Sequence, residues 1–292
     1  MPQNADPATS RRPLILVTGA TGNVGREITD RLVGRGARVR GFGRSRPEPR
    51  SDVEWAIGDL ANPADVRAAL TGVTAVFLIW PLLDPGPARL VINEFASTTA
   101  RVVYLSSTAV DDNSSRQSDP IAQVHADMEG LLRNAALDSI VLRSDTLAAN
   151  ARGWVTQLRR SDEVSGPDIA RTAVVDERDV AEAAVTALLA PRGELGKSPY
   201  CLTGPEILSR SDQLARLGAA LHRPLRFRPL SAEAARLRML ADGQPEALVA
   251  ALICASVHRP ASDGVTDHVE RLTGRPARTF TQWATDHADE FE

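Results

Sequence analysis

Lysine is almost absent from this chain: Lys197 stands alone among 34 basic residues, the others all being arginine. Chemistry that needs a lysine ammonium therefore has a single candidate. Tyrosine occurs only at 104 and 200, and aromatic residues make up 4% of the 292 positions. The two cysteines, Cys201 and Cys254, are too few and too far apart for a disulfide framework or a metal cluster, and they point to a reducing compartment. No excess of either charge is present: the formal net charge is −3 and the isoelectric point about 6.0. That balance argues against nucleic acid or an anionic membrane as partner. The longest apolar run, VTAVFLIWPLL at 73–83, is too short to cross a bilayer and contains Pro81. The opening MPQNADPATSRRP lacks an apolar core, so residues 1–12 read as a flexible tail and not as a signal peptide. A cytoplasmic protein is expected.

With 43% hydrophobic and 24% charged residues, the chain can bury one large domain, or one domain and a smaller appendage. Short apolar runs alternate with amphipathic stretches through the first half, the pattern of βαβ units on a parallel sheet. The runs 13–18, 37–42, 53–57, 74–80, 101–106 and 139–143 read as strands. Helices are expected after the first strand to about Arg35, from Asn62-Pro63, and from about 121 to 135. Beyond 150 the rhythm loosens. Strands are expected at 171–176, 198–204 and 225–230, helices at 177–190 and from Ser209 to His222, and helix from there to the C-terminus. Asp176 and Asp179 read as helix-capping residues, and His222, His258, His268 and His287 lack ligand spacing. No repeat or long linker divides the chain. Residues 13–150 form the expected core, and 151–292 a smaller lobe interleaved with it.

VTGATGNVGRE at 17–27 lies between a predicted strand and a predicted helix, with glycines at 19, 22 and 25. Gly19 permits a tight turn, Gly22 the close approach of a pyrophosphate, and Gly25 close packing of helix on strand. Phosphates would meet the free N–H groups and positive end of the helix, around Thr21, Asn23 and Val24. The fold expected is α/β, a Rossmann-type doubly wound parallel sheet. At the end of the second strand, where a site for NAD carries an acid, the chain reads Gly43-Arg44-Ser45-Arg46. Two arginines and a hydroxyl suit a 2′-phosphate, which favours NADPH.

TGATGNVG, IGDL at 57–60, VVYLSS at 102–107, VLRSDTLAAN at 141–150 and VVDERDVAEAAVTALL at 174–189 resemble the short-chain dehydrogenase/reductase superfamily, in its atypical, NmrA-like branch. YCLTGPEILSRSDQLARLGAAL at 200–221 and FTQWATDHADEF at 280–291 extend the resemblance over nearly the whole chain. It implies Asp59 and Leu60 near the adenine, and Leu78, Ile79 and Trp80 beside the nicotinamide ribose. It also implies Ser106 and Ser107 at the strand end under the nicotinamide. Arg143-Ser144 departs from the Arg-Pro found often in the branch.

Most active members of the superfamily carry Tyr-x-x-x-Lys, in which the ammonium lowers the tyrosine pKa and the hydroxyl protonates the carbonyl as hydride arrives. Registering Glu129 on the glutamate that often follows places His125 at the lysine position and Ile121 at the tyrosine position, in IAQVHADME. Tyr104 lies inside a strand and Tyr200 in the far lobe, so the dyad is missing. His125 could exchange a proton near neutral pH, hydrogen-bond the cofactor, or merely pack. Ser107 matches a serine that elsewhere holds a substrate oxygen, and a strand-end cap explains it as well. Two readings stay open. One is an NADPH-dependent reductase of a ketone or quinone on an aromatic, polyketide-type metabolite, as in antibiotic-pathway ketoreductases. Its proton would come from water, His125 or the substrate. The other is an NADP-binding redox sensor without chemistry. The substrate is expected to be small, hydrophobic and aromatic, held by segments around 80–90, 108–120, 145–170 and 225–260. Trp80, Leu82, Trp154, Met239 and Leu240 either floor that pocket or belong to the core. A monomer is expected.

Overall fold

All five residues of β1 (Leu14–Thr18) are buried, as a run of apolar residues flanked by helices on both faces demands. The computed structural model describes residues 12–292 except positions 46, 49 and 136. The expected tail, save residue 12, lies outside the described residues. Helix α1 (Asn23–Gly34) follows the glycine turn and buries Val24, Ile28 and Leu32 at a four-residue spacing, one stripe against the sheet. Next come β2 (Arg38–Gly43), β3 (Val53–Ile57) and α2 (Pro63–Ala69), then β4 (Ala75–Leu78) and α3 (Ala88–Ala96). β5 (Arg101–Ser107), α4 (Pro120–Asn134) and β6 (Ser139–Ser144) complete the first half. The second half contains α5 (Val155–Leu158), β7 (Glu163–Pro167), α6 (Glu177–Leu189), β8 (Tyr200–Leu202), α7 (Arg210–Ala220) and β9 (Arg226–Leu230). It closes with α8 (Ala232–Ala241), α9 (Glu246–His258), α10 (His268–Thr273) and α11 (Phe280–Asp286).

Seven strands form one parallel sheet in the order β3-β2-β1-β4-β5-β6-β8. The order reverses between β1 and β4, which is where doubly wound sheets open a crevice at their C-terminal edge. Helices α1, α6 and α10 cover one face through Ile28, Leu32, Val180, Val185 and Leu272. Helices α2, α3 and α4 cover the other through Val66, Ile92, Phe95, Met128 and Leu132. Each such side chain contributes roughly 1.5–3 kcal/mol when fully buried. A third cluster, built on Trp154, Leu214, Leu217, Phe280, Trp283 and Phe291, holds the smaller lobe, whose β7 pairs with β9. No described helix is long and apolar enough to cross a membrane.

Capping follows the sequence closely. Asn62 Oδ1 accepts from the N–H of Ala64 at 3.1 Å and starts α2. Substituting Asn62 by alanine is expected to cost about 1 kcal/mol. That lowers Tm by roughly 2–4 °C, measured by calorimetry. Asp176 caps α6 by accepting from the N–H of Arg178 at 2.8 Å. Asp179 does something else: fully buried, it binds Arg275 and both the N–H and the guanidinium of Arg278, tying α6 to the segment after α10.

Three expectations are corrected. The stretch 171–176 is not a strand and makes only the isolated bridges Thr172↔Leu208 and Leu147↔Val175. Its main chain bonds three different segments in turn: Ala173 N–H donates to Ser262, the carbonyl of Ala173 accepts from Gly204, and that of Val175 from Ala148. The strand expected over 74–80 ends at Leu78, because the Ile79 N–H turns to the Thr18 hydroxyl at 2.8 Å. The chain from 259 to 267 is irregular and not helical, with Pro260 and Gly264 within it. Helix α3 and strand β7 escaped the sequence reading.

Candidate active site

The turn after β1 has the geometry that a dinucleotide phosphate requires. Gly19 has φ +65°, the left-handed region that glycine enters without penalty. A Cβ on Gly25 would lie 2.1 Å from the Gly19 carbonyl oxygen, so only glycine lets α1 pack this closely. Gly22 starts α1 with no side-chain cap. Among the described residues, the N–H groups of Asn23 and Val24 at that helix end have no protein acceptor, and Thr21, Gly22 and Asn23 are exposed. Unpaired N–H groups at the positive end of a helix fit a pyrophosphate. Arg44 and Ser45 follow β2 on the surface with no acid beside them; Arg46 lies outside the described residues. Gly58 N–H donates to the Gly43 carbonyl at 3.0 Å, which brings Asp59 and Leu60 next to that strand end.

Beside the cradle, with Ile79 between them, lies a cleft of about 900 Å³ at the C-terminal ends of β4, β5, β6 and β8. Ile79 lines the cleft, and its Cδ1 would lie 3.2 Å from a Cβ on Gly19. Trp80 lines the cleft too, with its indole N–H buried and unpartnered, a donor left over for a ligand. Leu78 differs: its side chain is fully buried in the core on the helix side and does not reach the cleft. Across the cleft run Ser107, Asp145, Thr146 and the irregular segment from Arg259 to Thr266. Leu82 packs on the sheet core, whereas Trp154 and Met239 line a separate smaller cavity.

Helix α4 brings its first turns to this cleft because Asp119 anchors it. Asp119 Oδ1 accepts from the N–H groups of Ile121 and Ala122, both at 3.0 Å, and the carboxylate pairs with Arg259. Burial opposes the charge on Asp119, but the Arg259 fork and the Ala122 N–H outweigh it and hold the carboxyl below its ordinary pKa. Ile121 and His125, one turn apart, then face the cleft together.

Tyr104, read from the sequence as an uninvolved strand residue, meets His125. Its hydroxyl lies 2.8 Å from Nδ1. Burial, with the Glu129 charge adding to it, raises the tyrosine pKa, so the phenol stays protonated. Among the described residues its O–H has no other acceptor, so it donates to Nδ1 and leaves the histidine proton on Nε2. Burial first, and then the charge of Arg259, pushes the His125 pKa down to about 4. Of the three roles left open for His125, this argues against proton exchange near neutral pH: at pH 7 the imidazole is neutral and able to donate a hydrogen bond.

Both serines at the end of β5 line the cleft, but their hydroxyls diverge. Ser106 donates to Glu129 Oε1 at 2.6 Å, which commits its hydroxyl to the interior. Glu129 also receives a paired bond from Arg143, at 2.9 and 2.7 Å, and Arg143 binds Asp112 on the loop over the cleft. Arg143 thus takes a structural place that needs no proline after it. Ser107 lines the cleft, and its Oγ accepts from the Ala109 N–H at 3.1 Å while its own proton is free to donate. The strand-end cap and the cleft-lining serine are one and the same residue.

A family profile described as NAD(P)H-binding matches residues 19–191, the span from the first glycine through α6. The chain belongs to this NAD(P)H-binding family. It is 36% identical over 285 residues to the (4-alkanoyl-5-oxo-2,5-dihydrofuran-3-yl)methyl phosphate reductase of Streptomyces griseus, covering 95% of this chain and 99% of that protein. To the NAD(P)H azoreductase of Xenophilus azovorans it is 31% identical over 289 residues, covering 95% and 99%. In fold it matches an NADPH-dependent quinone oxidoreductase of Escherichia coli complexed with NADPH, with a TM-score of 0.75 at 19% identity over 93% of this chain and 99% of that one. The matched span begins at Gly19, the first glycine of the cradle.

Proposed function

We propose that this chain is an NADPH-dependent reductase of a ketone or quinone on an aromatic, polyketide-type metabolite, working without a tyrosine–lysine dyad. One observation carries the reading: Ile79, packed against Gly19 of the glycine cradle, also lines the cleft that holds Ser107 and a His125 whose Nδ1 meets the Tyr104 hydroxyl. Arg44, Ser45 and Arg46, with no acid among them, support NADPH over NADH. Thr21, Gly22, Asn23 and Val24 would hold the pyrophosphate, Asp59 and Leu60 the adenine side, and Ile79 and Trp80 the ribose next to the reacting ring. Residues from 151 onward supply the substrate lobe. The relatives are named as reductases of a furanone phosphate and of azo compounds, and the fold neighbour as a quinone reductase, which supports an easily reduced acceptor.

Bound in the cradle, the reduced cofactor supplies a hydride. The residues of this chain orient the acceptor and stabilise the oxygen that gains charge. Ser107 Oγ and His125 Nε2 would be the two donors to that oxygen, and fixed donors of this kind act without reorganisation. A neutral imidazole is a weak acid, so the proton comes finally from water or from a phenolic or enolic hydroxyl next to the carbonyl. Tyr104 positions His125 and does not touch the substrate.

Replacing His125 by alanine is expected to slow hydride transfer by about 100-fold. Tyr104→Phe, which frees the ring to rotate, should slow it by about tenfold with NADPH affinity unchanged. Stopped-flow loss of nicotinamide absorbance with menadione as acceptor reads both. Because the His125 pKa is pushed to about 4, its neutral form persists, and the rate should show no inflection near the ordinary histidine pKa of about 6.5. Unchanged rates in both variants would remove His125 and Tyr104 from the mechanism and leave substrate or water with the whole task.

A further inference from the structure

Behind the cleft lies a smaller cavity of about 180 Å³ that shares Ile121, Thr146, Asn150, Thr172 and Arg259 with it. The two lining sets differ in charge. Asp111, Asp112, Asp145 and Asp263 line the cleft, while among the described residues no acid lines the inner cavity, whose walls are mainly apolar at Trp154, Ile169, Met239 and Leu252.

Into that apolar space comes a cation without a partner. Arg210 is the first residue of α7, where the positive end of the helix disfavours a cation. Its Nε is buried and unpartnered, and among the described residues its guanidinium makes no hydrogen bond or ion pair. Its contact is with the face of Phe227, 6.0 Å from the ring centre. Burial lowers its pKa, and Asp168, which is exposed and not in contact, opposes that only from a distance. Arg210 as a whole is half-buried, whereas the fully buried arginines Arg101 and Arg143 each meet a carboxylate directly. An unpaired buried charge is costly, and proteins retain one where a ligand completes it.

Two more polar groups in the cavity wall are unpartnered. Gln213, three residues further on the same helix and 4% exposed, makes no side-chain hydrogen bond among the described residues. Thr172 Oγ1, on the segment that crosses from cleft to cavity, is buried without a partner. A guanidinium fork, an amide N–H₂ and a hydroxyl thus line one small space, and all three can donate. Carboxylates and phosphates match the planar fork of arginine with paired hydrogen bonds.

We infer that the inner cavity is an oxyanion subsite: Arg210, Gln213 and Thr172 hold a carboxylate or phosphate on an apolar arm of the substrate, while the reducible group lies at Ser107 and His125. The inference rests on reduction taking place in the cleft. The acidic cleft and the basic cavity then orient a substrate of this kind in one direction only, apolar arm and anion inward. The acceptor class narrows to acidic metabolites, those with an acid separated from the carbonyl by an apolar segment.

The test uses a naphthoquinone bearing a propanoate arm, its methyl ester, and the matching propyl phosphate, titrated calorimetrically onto the NADP⁺-bound protein. Both acids, or one of them, should bind at least about tenfold more tightly than the ester, the effect of one charge-assisted pair. Whichever gains more identifies the anion as carboxylate or phosphate. Arg210→Met should abolish the margin and leave ester binding unaltered, while Arg210→Lys should retain part of it. Since the substitution removes an unpaired, half-buried cation, the Tm of Arg210→Met should be equal to or higher than that of the parent. Gln213→Leu should reduce the margin without removing it. Equal binding of acids and ester by the parent protein, or a margin that survives Arg210→Met, overturns the subsite. Turnover is read separately: absence of reduction with every probe contradicts the reductase reading and leaves the binding margin to decide the subsite.

Discussion

Replacing Gly25 with alanine is expected to weaken NADPH binding by about 100-fold or more, the equivalent of roughly 2.7 kcal/mol. The added Cβ would sit 2.1 Å from the Gly19 carbonyl oxygen and 2.9 Å from the Ala20 Cα, both main-chain atoms that cannot step aside alone. Relief requires α1 to withdraw from β1 or the turn at Gly19 to open. Either movement carries the N–H groups of Asn23 and Val24 away from the phosphates. Binding is measured by the rise in nicotinamide fluorescence. Gly34→Ala serves as the control, because nothing lies within 4 Å of a Cβ there, and its affinity should equal that of the parent. Equal affinity in Gly25→Ala would mean that the phosphates lie elsewhere.

The second large effect concerns Arg143→Met, expected to cost about 3–5 kcal/mol. The guanidinium is buried between Glu129, which is 4% exposed, and Asp112. Its removal strands the Glu129 carboxylate in the interior with the Ser106 hydroxyl as remaining partner. A fall in Tm of roughly 10 °C should follow. The double variant Glu129→Gln/Arg143→Met should recover much of it, since the stranded charge is gone. The same network carries a functional consequence: Asp112 belongs to the loop over the cleft, and Arg143 fixes that loop to β6. The single variant should therefore also raise the KM for the acceptor more than that for NADPH.

The sheet was legible in the sequence because its signals are local. A buried parallel strand is a short apolar run; β3 has the bounds that its run suggests, and β1 and β6 differ from theirs by one residue. Asn62-Pro63 and Ser209 mark helix starts by hydrogen bonds made within a few residues. The glycine spacing places the cradle for the same reason. The misread parts depend on distant partners. RTAVVD has a strand's composition, yet its backbone is satisfied by three separate segments and never by a ladder. Tyr104 looked idle because a strand position says nothing about what its hydroxyl meets on a helix 21 residues later. A signal was present in the case of 259–267, where Pro260, Ser262, Asp263 and Gly264 crowd together. That stretch lines the cleft opposite Ser107, so reading it as helix hid one wall of the site. Arg210 and Gln213 are visibly on one face of α7 from their spacing. What they face, a cavity between non-consecutive elements, is not.

The most direct test of the account is NADPH oxidation, followed by nicotinamide absorbance, against a panel of quinones and phenolic polyketide ketones, with product masses recorded. The account predicts stoichiometric loss of NADPH and a product two mass units heavier than its acceptor. Tight NADPH binding with no turnover across the panel would contradict it and would mark Ile121 and His125 as the remains of a site that binds the cofactor without using it.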